Sequence, residues 1–526
     1  MRTSDLPTTA TTVLVVGAGP TGLMAALVLA RRGVPVVVVD RKAGPTRESR
    51  AIVLQARSME LYDQLGLVEK VLAGSYLATR LQVRPDRPAQ SLRVDRAQQG
   101  ATRFPGLRVF EQSRNESLLV EALDEAGVSV RWRHRLVDLM QEDGPEAGVT
   151  ALVEGPDGLS RVRARWCVGA DGAASVVRRL LDVPFEGVTD DATFWVADLR
   201  GVPGTADDAI VARFGDATFA LVFPLGPGGH VRLISLASHD GVDQEEALAG
   251  ARADLGLRYD AVDWFSTYRV HHRVAARFRT GPVFLAGDAA HVHSPVGAQG
   301  MNTGLQDAHD LAHLLADVAH DHVTTAALDR YEGERRPVAL RLVRLTDRVF
   351  GVVGRRGRGP AWVRRRFSVV AATLLPSLLE RPAGARLGGW LGQYRIRYHL
   401  AASATPPAWA DDPAVGVRLP PAGENAAALR DLTWQLHTYG GNAARPDVPG
   451  WVDGPRDLGP DDRRRLRPDR LYLVRPDGFV VASLPLAGGR VDDALLGAAL
   501  EANHVVRGPD APDPASETGV APGVSR

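Results

Sequence analysis

Val13-Leu-Val-Val-Gly17-Ala-Gly19-Pro-Thr-Gly22 is the stretch that decides the fold. Its first four residues are apolar and predict a buried parallel strand, and its glycines have the G-x-G-x-x-G spacing. Gly17 allows a tight turn, Gly19 lets a pyrophosphate approach the backbone, and Gly22 lets the next helix pack closely on the strand. The alanine-rich helix predicted over 23–32 would point its N-terminus at the phosphates. We therefore predict a dinucleotide site at this turn.

A second predicted strand, 36–39, ends on Asp40, 18 residues after Gly22. An acid about 20 residues beyond the glycines is the residue that holds a ribose hydroxyl in such sites. The order of strand, helix, strand and acid is the context that makes the glycine spacing specific. Residues 13–30 are uncharged, but three glycines and Pro20 interrupt them and no basic leader precedes them, so we expect neither a membrane span nor a signal peptide.

Length and composition limit the class of protein. A chain of 526 residues is too long for one core, so about two to four domains are expected. A net charge of +1, with 24% charged residues, argues against nucleic acid as a partner. The single cysteine, Cys167, excludes an internal disulfide, a CxxC motif and a thiolate zinc cage. A reducing cytoplasm fits this cysteine usage, so a cytoplasmic location is expected.

Two further stretches place an aspartate after a buried strand. In one, an apolar strand runs into Asp171-Gly172, and a short helix begins at Ser175. This pattern suits a binding motif, but a structural strand–turn–helix in which Asp171 only caps the helix would give the same sequence. In the other, a buried strand ends in Gly287-Asp288. The glycine-rich loop that follows leads into a long helix predicted over 305–316. Backbone N–H groups and a helix N-terminus suit a planar ring that gains negative charge on reduction. His291 and His293 near Asp288 match no helical metal-ligand spacing, so no metal site is predicted.

The rest of the chain predicts strands, a linker and a last domain. Segments 76–108 and 185–273 predict an antiparallel sheet, because residues alternate with period two or are aromatic and β-branched. Trp195, Phe219 and Phe223 would line a pocket for a flat apolar ligand. Each of these residues would also be expected in an ordinary hydrophobic core. Residues 401–413 suggest a linker. Residues 470–482 predict a β-hairpin around Pro-Asp-Gly.

Together, the three aspartate-bearing stretches resemble the single-component FAD-dependent aromatic hydroxylases, the group A flavoprotein monooxygenases of the para-hydroxybenzoate hydroxylase type, over about residues 12–345. The resemblance implies an α/β fold with an FAD-binding Rossmann-like, doubly wound domain, an inserted antiparallel β-sheet substrate domain and a thioredoxin-like C-terminal domain of the polyketide-tailoring type. The implied boundaries are 1–75, 109–184 and 274–345 for the FAD-binding domain, 76–108 and 185–273 for the substrate domain, 346–400 for a helical connection, 401–506 for the thioredoxin-like domain, and 507–526 for a disordered tail.

By this resemblance, all three motifs contact FAD. The first binds the ADP half, Asp171 belongs to a motif linked to FAD and NAD(P)H, and the loop 295–302 lies along the isoalloxazine ring. The implied cofactor-binding residues are Gly17, Gly19, Pro20, Thr21, Gly22, Asp40, Arg41, Arg50, Gln112, Leu136, Asp171, Asp288, Pro295, Gly300, Met301 and Asn302. The family pattern in the loop is Pro-Pro-x-Gly-Gly-Gln-Gly, and this chain has Ser294 for the first proline and Ala298 for the second glycine. The Ala298 methyl group is expected to narrow the space for ring movement.

The implied activity is centred on the cofactor. NADPH or NADH would reduce FAD, O2 would add at flavin C4a near Pro295 and Gly297, and the hydroperoxide would hydroxylate an aromatic or polyketide-type substrate. No covalent catalytic side chain is implied, and Arg232 and His230 are candidates for a general base by location only.

Other functions stay open. Baeyer–Villiger oxygenation of a polycyclic ketone is the alternative on the same scaffold. A nicotinamide dehydrogenase and a non-catalytic flavin-sensing module are the other classes. The expected partners are small molecules in antibiotic biosynthesis, with no nucleic acid and no membrane, and a homodimer is left open.

Overall fold

The computed structural model describes residues 6–46, 51–82, 91–142, 148–215, 218–293, 298–353, 382–398, 407–440, 443 and 445–506. Within those ranges, no helix combines the length and the apolar composition that crossing a membrane requires. Arg50, Pro295, Gly297 and the predicted tail lie outside them, as do residues 354–381 of the predicted helical connection. The domain boundaries stay predictions.

Strands build four sheets in the described part of the chain. In chain order they are β1 (Thr8–Val16), β2 (Val36–Asp40), β3 (Val53–Leu54), β4 (Tyr76–Ala78), β5 (Arg80–Gln82), β6 (Leu92–Arg93), β7 (Leu107–Val109), β8 (Arg131–Trp132), β9 (Arg135–Gln141), β10 (Val149–Gly155), β11 (Gly158–Gly169), β12 (Phe185–Arg200), β13 (Ala209–Phe214), β14 (Phe219–Gly226), β15 (His230–Leu236), β16 (Ala261–Ala275), β17 (Arg279–Thr280), β18 (Val283–Leu285), β19 (His291–Val292), β20 (Gln435–Thr438), β21 (Asp453–Asp457), β22 (Arg470–Val474) and β23 (Val480–Pro485).

Helices connect these strands and cover the sheets. They are α1 (Pro20–Arg31), α2 (Ala56–Gln64), α3 (Val68–Gly74), α4 (Val94–Gln98), α5 (Gln112–Glu125), α6 (Val176–Leu180), α7 (Gln244–Leu255), α8 (Gly300–Ala319), α9 (Asp329–Val353), α10 (Pro382–Leu391), α11 (Asn425–Ala428) and α12 (Asp493–Ala502). The glycine-rich turn leads into α1, whose residues 22–29 are all buried, and α1 packs against α8 and α5.

The first sheet has a parallel centre in the order β18-β11-β1-β2, with β17 and β8 at its edges and β9 and β10 added to β11. Val16 pairs with Gly169 and with Val39, and Gly169 pairs with Leu285, so the four strands end at the same level. In open parallel sheets, the crevice beyond the carboxyl ends is where ligands bind. The predicted α/β fold with a Rossmann-like sheet is confirmed.

The second sheet has the order β19-β16-β12-β15-β14-β13-β5-β6 and is antiparallel except between β13 and β5. It joins strands from both segments that predicted a second domain. Its edge strand β19 follows the Gly287–Asp288 turn by only two residues, so this turn lies where the two sheets meet. A small third sheet has the order β3-β7-β4.

The C-terminal sheet has the order β21-β20-β22-β23. Trp434 beside it is fully buried, and its indole N–H donates to Asp317 Oδ2 of α8 at 2.8 Å. The C-terminal region therefore packs on α8, the helix that begins in the glycine-rich loop. Its assignment as thioredoxin-like stays a prediction.

The sequence pattern also predicts strands over 92–96 and 128–140 and a helix over 328–350 with a kink or boundary at Pro337. Some predicted elements differ from the structure. Helix α8 begins at Gly300, inside the glycine-rich loop, and α9 continues through Pro337, which is not a boundary. The strand predicted over 128–140 is interrupted by Arg133, which has a φ of 60°. Residues 94–96, predicted as strand, form part of α4. Short alternating segments are ambiguous between helix and strand, and tertiary packing decides between them.

Candidate cofactor and substrate site

A cavity of about 770 Å³ lies beyond the carboxyl ends of the parallel strands. All three predicted motifs and the glycine-rich loop line it, with Gly19, Pro20, Thr21, Ala170, Gly172, Ala173, Asp288, Ala298, Gln299, Gly300 and Met301. The second sheet also lines it, with Phe223, Ile234 and Tyr268, which we call the apolar wall, and with Arg269 and His271. One cavity therefore has a glycine-rich wall and an apolar wall.

The motifs meet because their glycines leave no room for side chains. Gly17 has a φ of +106°, and a Cβ atom on it would lie 2.4 Å from the carbonyl oxygen of Ala170 in the second motif. Cβ atoms on Gly287 and Gly304 would lie 2.5 and 2.4 Å from Thr21 Oγ1 of the first motif. Close backbone packing thus joins the three motifs into one unit.

Two helices begin at this cavity with free N-termini. Helices α1 and α8 have no side-chain cap among the described residues. A Cβ atom on Gly19 would meet nothing within 4 Å. Uncapped N–H groups and the positive end of the helix dipole bind anions. The α1 end and the open face of Gly19 fit a pyrophosphate, and the α8 end fits an electron-rich ring edge.

Asp40 shapes the first glycine turn. It is 8% exposed, its Oδ2 accepts the Ala18 N–H at 2.6 Å, and its Oδ1 accepts the Lys42 N–H at 2.7 Å. Arg41 beside it is exposed, and Leu136 is buried in β9. These three predicted residues lie beyond those that line the cavity. A carboxylate has further acceptor positions, so Asp40 keeps the capacity to bind a hydroxyl.

Gln112 and Thr46 line the cavity and are held by Glu116, which the sequence reasoning missed. Gln112 Nε2 donates to Glu116 Oε1 at 2.9 Å, and the Thr46 N–H donates to Glu116 Oε2 at 2.7 Å. Glu116 is fully buried and also pairs with Lys42 Nζ at 3.1 Å. The spacing of Gln112 and Glu116, one helical turn apart at the start of α5, is the signal that indicates this pair.

Asp171 caps a helix, and its neighbours line the cavity. Its Oδ1 accepts the Ser175 hydroxyl at 2.5 Å, and its Oδ2 accepts the Val176 N–H at 2.6 Å. Asp171 therefore caps the turn, and the neighbouring Ala170, Gly172 and Ala173 line the cavity. The role of this motif in binding FAD and NAD(P)H stays a prediction. Arg178 then ties the second motif to the third, donating to Ala173 O at 2.8 Å and to Ala289 O at 2.7 Å.

The third motif is held from behind by Asp307 of α8, another residue that sequence reasoning missed. Asp288 is exposed at the cavity. Asp307 accepts the Gly287 N–H at 3.2 Å, His291 Nε2 lies 2.7 Å away, and Arg335 Nε donates to it at 2.7 Å. Burial alone would raise the pKa of Asp307, but the charges of Arg335 and His291 lower it to about 2. Asp307 is therefore ionised and fixes the turn.

The loop residues around Gly300 are anchored by Asn302. Its side chain is fully buried, accepts the Gln55 N–H at 2.8 Å and donates to Val53 O at 2.8 Å. Met301 lines the cavity, and Ala298 has a φ of 52°, a left-handed conformation that favours glycine. Among the described residues, no group of three or more His, Cys, Asp or Glu side chains is arranged to hold a metal ion.

The apolar wall contains one of the three predicted aromatic residues. Phe223 lines the cavity. Phe219 is on the same face and belongs to the same apolar cluster but does not line it. Trp195 belongs to the cluster on the opposite face and packs on Phe265 at a ring distance of 6.0 Å. Since neighbouring residues of a strand face opposite sides, Phe194 points toward the cavity side and Trp195 points away from it, which corrects the prediction for Trp195.

Neither candidate general base reaches the cavity. Arg232 donates to both oxygens of Asp198 at 2.7 Å and to Glu111 at 3.0 Å. A guanidinium has N–H donors and no acceptor atom, so Arg232 does not serve as a general base. His230 lies 3.6 Å from Asp263, away from the lining residues. The location-based prediction for both residues is therefore wrong.

His271, in contrast, lines the cavity near Tyr268. Partial burial lowers the pKa of His271, and the positive charges of Arg273 and Arg269 lower it further. This imidazole is therefore neutral at pH 7. The prediction missed it because adjacent histidines in a long strand carry no motif.

Comparison with known proteins agrees with this geometry. Residues 10–346 match the family model described as FAD binding domain. 6-Methylpretetramide 4-monooxygenase of Streptomyces rimosus is 33% identical over 561 aligned residues, covering 96% of each chain. Rifampicin monooxygenase of Rhodococcus hoagii is 34% identical over 496 residues, covering 89% of this chain and 94% of its own.

A solved structure shows the same likeness. The OxyS anhydrotetracycline hydroxylase from Streptomyces rimosus superposes with a TM-score of 0.73 at 27% identity, covering 94% of this chain and 99% of that one. The likeness thus extends through the C-terminal region as well as the cavity. Because the family model matches well over half of the chain, this protein belongs to the FAD binding domain family and is an FAD-dependent monooxygenase.

Proposed function

We propose that this monooxygenase hydroxylates a polycyclic aromatic substrate of polyketide type, with NADPH or NADH as the reductant. The observation that carries the proposal is the cavity with two unlike walls. Glycine turns and two helix N-termini form the wall for the cofactor, and Phe223, Ile234 and Tyr268 form an apolar wall facing it. The three proteins compared above, named for 6-methylpretetramide, rifampicin and anhydrotetracycline, match 89–96% of this chain, whereas those named for pentachlorophenol and para-nitrophenol match 62–66% of it, which supports a large substrate.

The chain's own residues would hold the cofactor at both ends of the cavity. The Gly19 backbone and the α1 N-terminus would bind the pyrophosphate, and Asp40 the ribose. Asp288 would bond the ribityl chain, and backbone N–H groups near Gly300 would face the ring. When bound, FAD supplies the hydride acceptance and the activation of O2 that hydroxylation needs.

The apolar wall would exclude water and orient the substrate. Tyr268 stacks on Phe194 at 5.8 Å, and Phe194 meets Phe219 edge-on at 6.1 Å, so an aromatic layer backs the cavity. A flat substrate placed against this layer would present one ring edge to the loop around Gly300. Exclusion of water from an active site protects reactive intermediates from hydrolysis.

His271 would accept the proton of a substrate hydroxyl. Its imidazole lines the cavity, and its lowered pKa keeps a nitrogen lone pair available at neutral pH. Removing a phenolic proton makes the ring more electron-rich and so more reactive toward an electrophilic oxygen. General-base assistance of this kind contributes about 100-fold or more to a rate.

The test uses the FAD-loaded protein with NADPH or NADH and a panel of hydroxyanthraquinones and related polycyclic phenols. We expect a polycyclic phenol to accelerate NAD(P)H oxidation and to gain one oxygen atom from isotopically labelled O2. Single-ring phenols with the same hydroxyl pattern are the control and should stimulate less.

The product structure distinguishes the alternatives. A new ring hydroxyl supports the proposal, whereas an oxygen inserted beside a carbonyl shows Baeyer–Villiger oxygenation instead. FAD-loaded protein that oxidises no NAD(P)H with any substrate would contradict both and favour a flavin-sensing module. A dehydrogenase would leave the convergence of the turns at Gly172 and Asp288 on one cavity unexplained.

A further inference from the structure

The turn of the C-terminal hairpin, residues 475–479, is buried against the FAD-binding part of the chain. We call it the docking turn. Arg475 and Asp477 in it are 1% and 2% exposed. Arg475 donates to both oxygens of Glu334 in α9 at 2.8 and 3.0 Å, and Arg57 of α2 donates to the Asp477 carbonyl at 2.7 Å. Hairpin turns normally face water, so burying two charges here calls for an explanation.

A chain of side-chain interactions runs from the docking turn to the cofactor cavity. The Tyr398 hydroxyl donates to Asp310 Oδ2 at 2.7 Å and accepts from Arg335 Nη1 at 2.9 Å. Arg335 Nε then donates to Asp307, which accepts the Gly287 N–H. We call this chain the relay, and its members in order are Asp477, Asp310, Tyr398, Arg335, Asp307 and Gly287.

The docking turn contacts Tyr398 of the relay directly, because Phe479 stacks on the Tyr398 ring at 4.3 Å and the Arg475 guanidinium lies 5.6 Å from the centre of the same ring. Burial, with the nearby charge of Asp477, raises the pKa of Asp310 to about 8, so Asp310 carries a proton at neutral pH. Burial would also raise the pKa of Asp477, but the charges of Arg475 and Arg330, together with hydrogen bonds from Arg475 and Asp310, lower it to about 2. The docking turn therefore meets the relay twice, at Tyr398 through ring stacking and at Asp310 through a hydrogen bond between the two carboxyl groups.

The relay is too buried to tolerate a break. Its side chains are 0–8% exposed, with Asp310 the highest and Asp307 the lowest. Removing one partner leaves a buried charge or donor unsatisfied, so neighbouring groups must shift. The first backbone that such a shift reaches at the cavity is Gly287, whose left-handed φ of +59° places Asp288 at the cavity wall.

We propose that the docking turn and the relay position the Gly287–Asp288 turn for FAD, so that the C-terminal domain takes part in cofactor binding. Tyr398, Arg335 and Asp477 are then positioning residues that act through Asp307. This gives the predicted Pro-Asp-Gly hairpin a role beyond covering the surface of α8.

The test is Tyr398→Phe in the full-length protein, with Tyr472→Phe as the matched control. The Tyr398→Phe change removes one relay hydroxyl and keeps the ring that stacks on Phe479 at 4.3 Å. Tyr472 is also fully buried, and its hydroxyl lies 2.7 Å from the Arg467 N–H and 3.2 Å from Asp412, outside the relay. Both variants lose one buried hydroxyl in a hydrogen-bonded setting.

Tyr398→Phe should raise the FAD dissociation constant about tenfold and change the visible circular dichroism of the bound flavin. Tyr472→Phe should lower the melting temperature but keep the dissociation constant within about twofold of the parent. Equal melting losses in the two variants, with FAD affinity and flavin spectrum unchanged in both, would overturn the proposal.

If Tyr398→Phe does not fold, Asp477→Asn tests the same prediction and should also raise the FAD dissociation constant about tenfold.

Where both single variants fold, the double variant gives a further test. Residues of one relay should together weaken FAD binding about tenfold, as each does alone, whereas independent residues would multiply to about a hundredfold. A multiplied effect would show that the docking turn and Tyr398 act separately, against the relay.

Discussion

Gly19→Ala is expected to weaken FAD binding without weakening the fold. Gly19 has φ −84° and ψ −179°, an extended conformation that alanine adopts, and its added Cβ would meet no atom within 4 Å. Alanine at such a position stabilises a protein by about 0.4–1 kcal/mol, because the unfolded chain loses freedom. The methyl group would instead enter the space that the pyrophosphate needs. Losing one hydrogen bond to a charged group costs about 1.5–3 kcal/mol, or about 10-fold to 150-fold in FAD affinity.

Gly22→Ala is the matched control three residues later. Its Cβ would lie 1.8 Å from the Gly17 carbonyl oxygen, whereas real Cβ atoms keep at least 3.0 Å, so the turn or α1 must move by 1.2 Å (3.0 minus 1.8). Overpacking of this kind costs about 1–3 kcal/mol. This variant should therefore lose stability even in the absence of cofactor.

The assay pairs two measurements on each apoprotein. Urea denaturation gives the free energy of unfolding, and titration with FAD, followed by quenching of flavin fluorescence, gives the dissociation constant. Gly19→Ala should match or exceed the parent in stability and bind FAD at least about tenfold more weakly. A Gly19→Ala protein with parental FAD affinity, or with the stability loss of Gly22→Ala, would refute the reasoning.

Three further changes test the apolar wall, the proton acceptor and the loop. Phe223→Ala should raise KM for a polycyclic substrate about tenfold or more, because it removes a contact of the apolar wall. The control Phe219→Ala should lower the melting temperature with less effect on KM. Equal effects of the two changes on KM would contradict a substrate contact at Phe223. His271→Gln should lower kcat about 100-fold. In the parent, activity should fall on acidification below pH 6.5, the ordinary histidine pKa, because the pKa of His271 is lowered, and the variant should not show this fall. An unchanged pH profile in the variant would exclude His271 as the proton acceptor. Ala298→Gly should leave the free energy of unfolding unchanged or raise it by up to about 1 kcal/mol, because glycine adopts the left-handed backbone without strain. Ala173→Gly should lower the free energy of unfolding by about 0.5–1 kcal/mol, and urea denaturation measures both. The reverse order would contradict the left-handed conformation at Ala298.

The sequence predicts where the cofactor site lies because each motif carries its own local structure. A buried strand followed by a glycine turn places Gly17, Gly172 and Gly287 at strand ends. Parallel strands in one sheet bring those ends to the same edge. This is why three stretches far apart in the chain could be predicted to meet.

The sequence does not predict which side-chain atoms of the motif residues form hydrogen bonds within the protein itself. Asp40, Asp171 and Asn302 hold their own turns through backbone N–H and C=O groups, an outcome that depends on final backbone geometry. Asp307 was missed because its partners Gly287, His291 and Arg335 come from other elements, and a polar residue on an otherwise buried helix face is the sequence signal that points to it. For Glu116 the signal is its spacing from Gln112 in α5.

Trp195 shows the limit for strands. The alternation of a strand gives two possible faces, and a one-residue difference in register reverses them. The docking turn shows a similar limit, since Arg475 and Asp477 at a hairpin turn have the composition of a solvent-facing loop. Only tertiary packing reveals that both are buried.

The central claim is that the turns at Gly19, Gly172 and Gly287 form one site for one FAD, with the flavin ring between Gly300 and the wall of Phe223 and Tyr268. A crystal structure of the protein grown with FAD tests it most directly. We predict one FAD per chain, its pyrophosphate at the α1 N-terminus and its ring beside Gly300. A flavin ring bound elsewhere, with this cavity filled only by solvent, would contradict the claim.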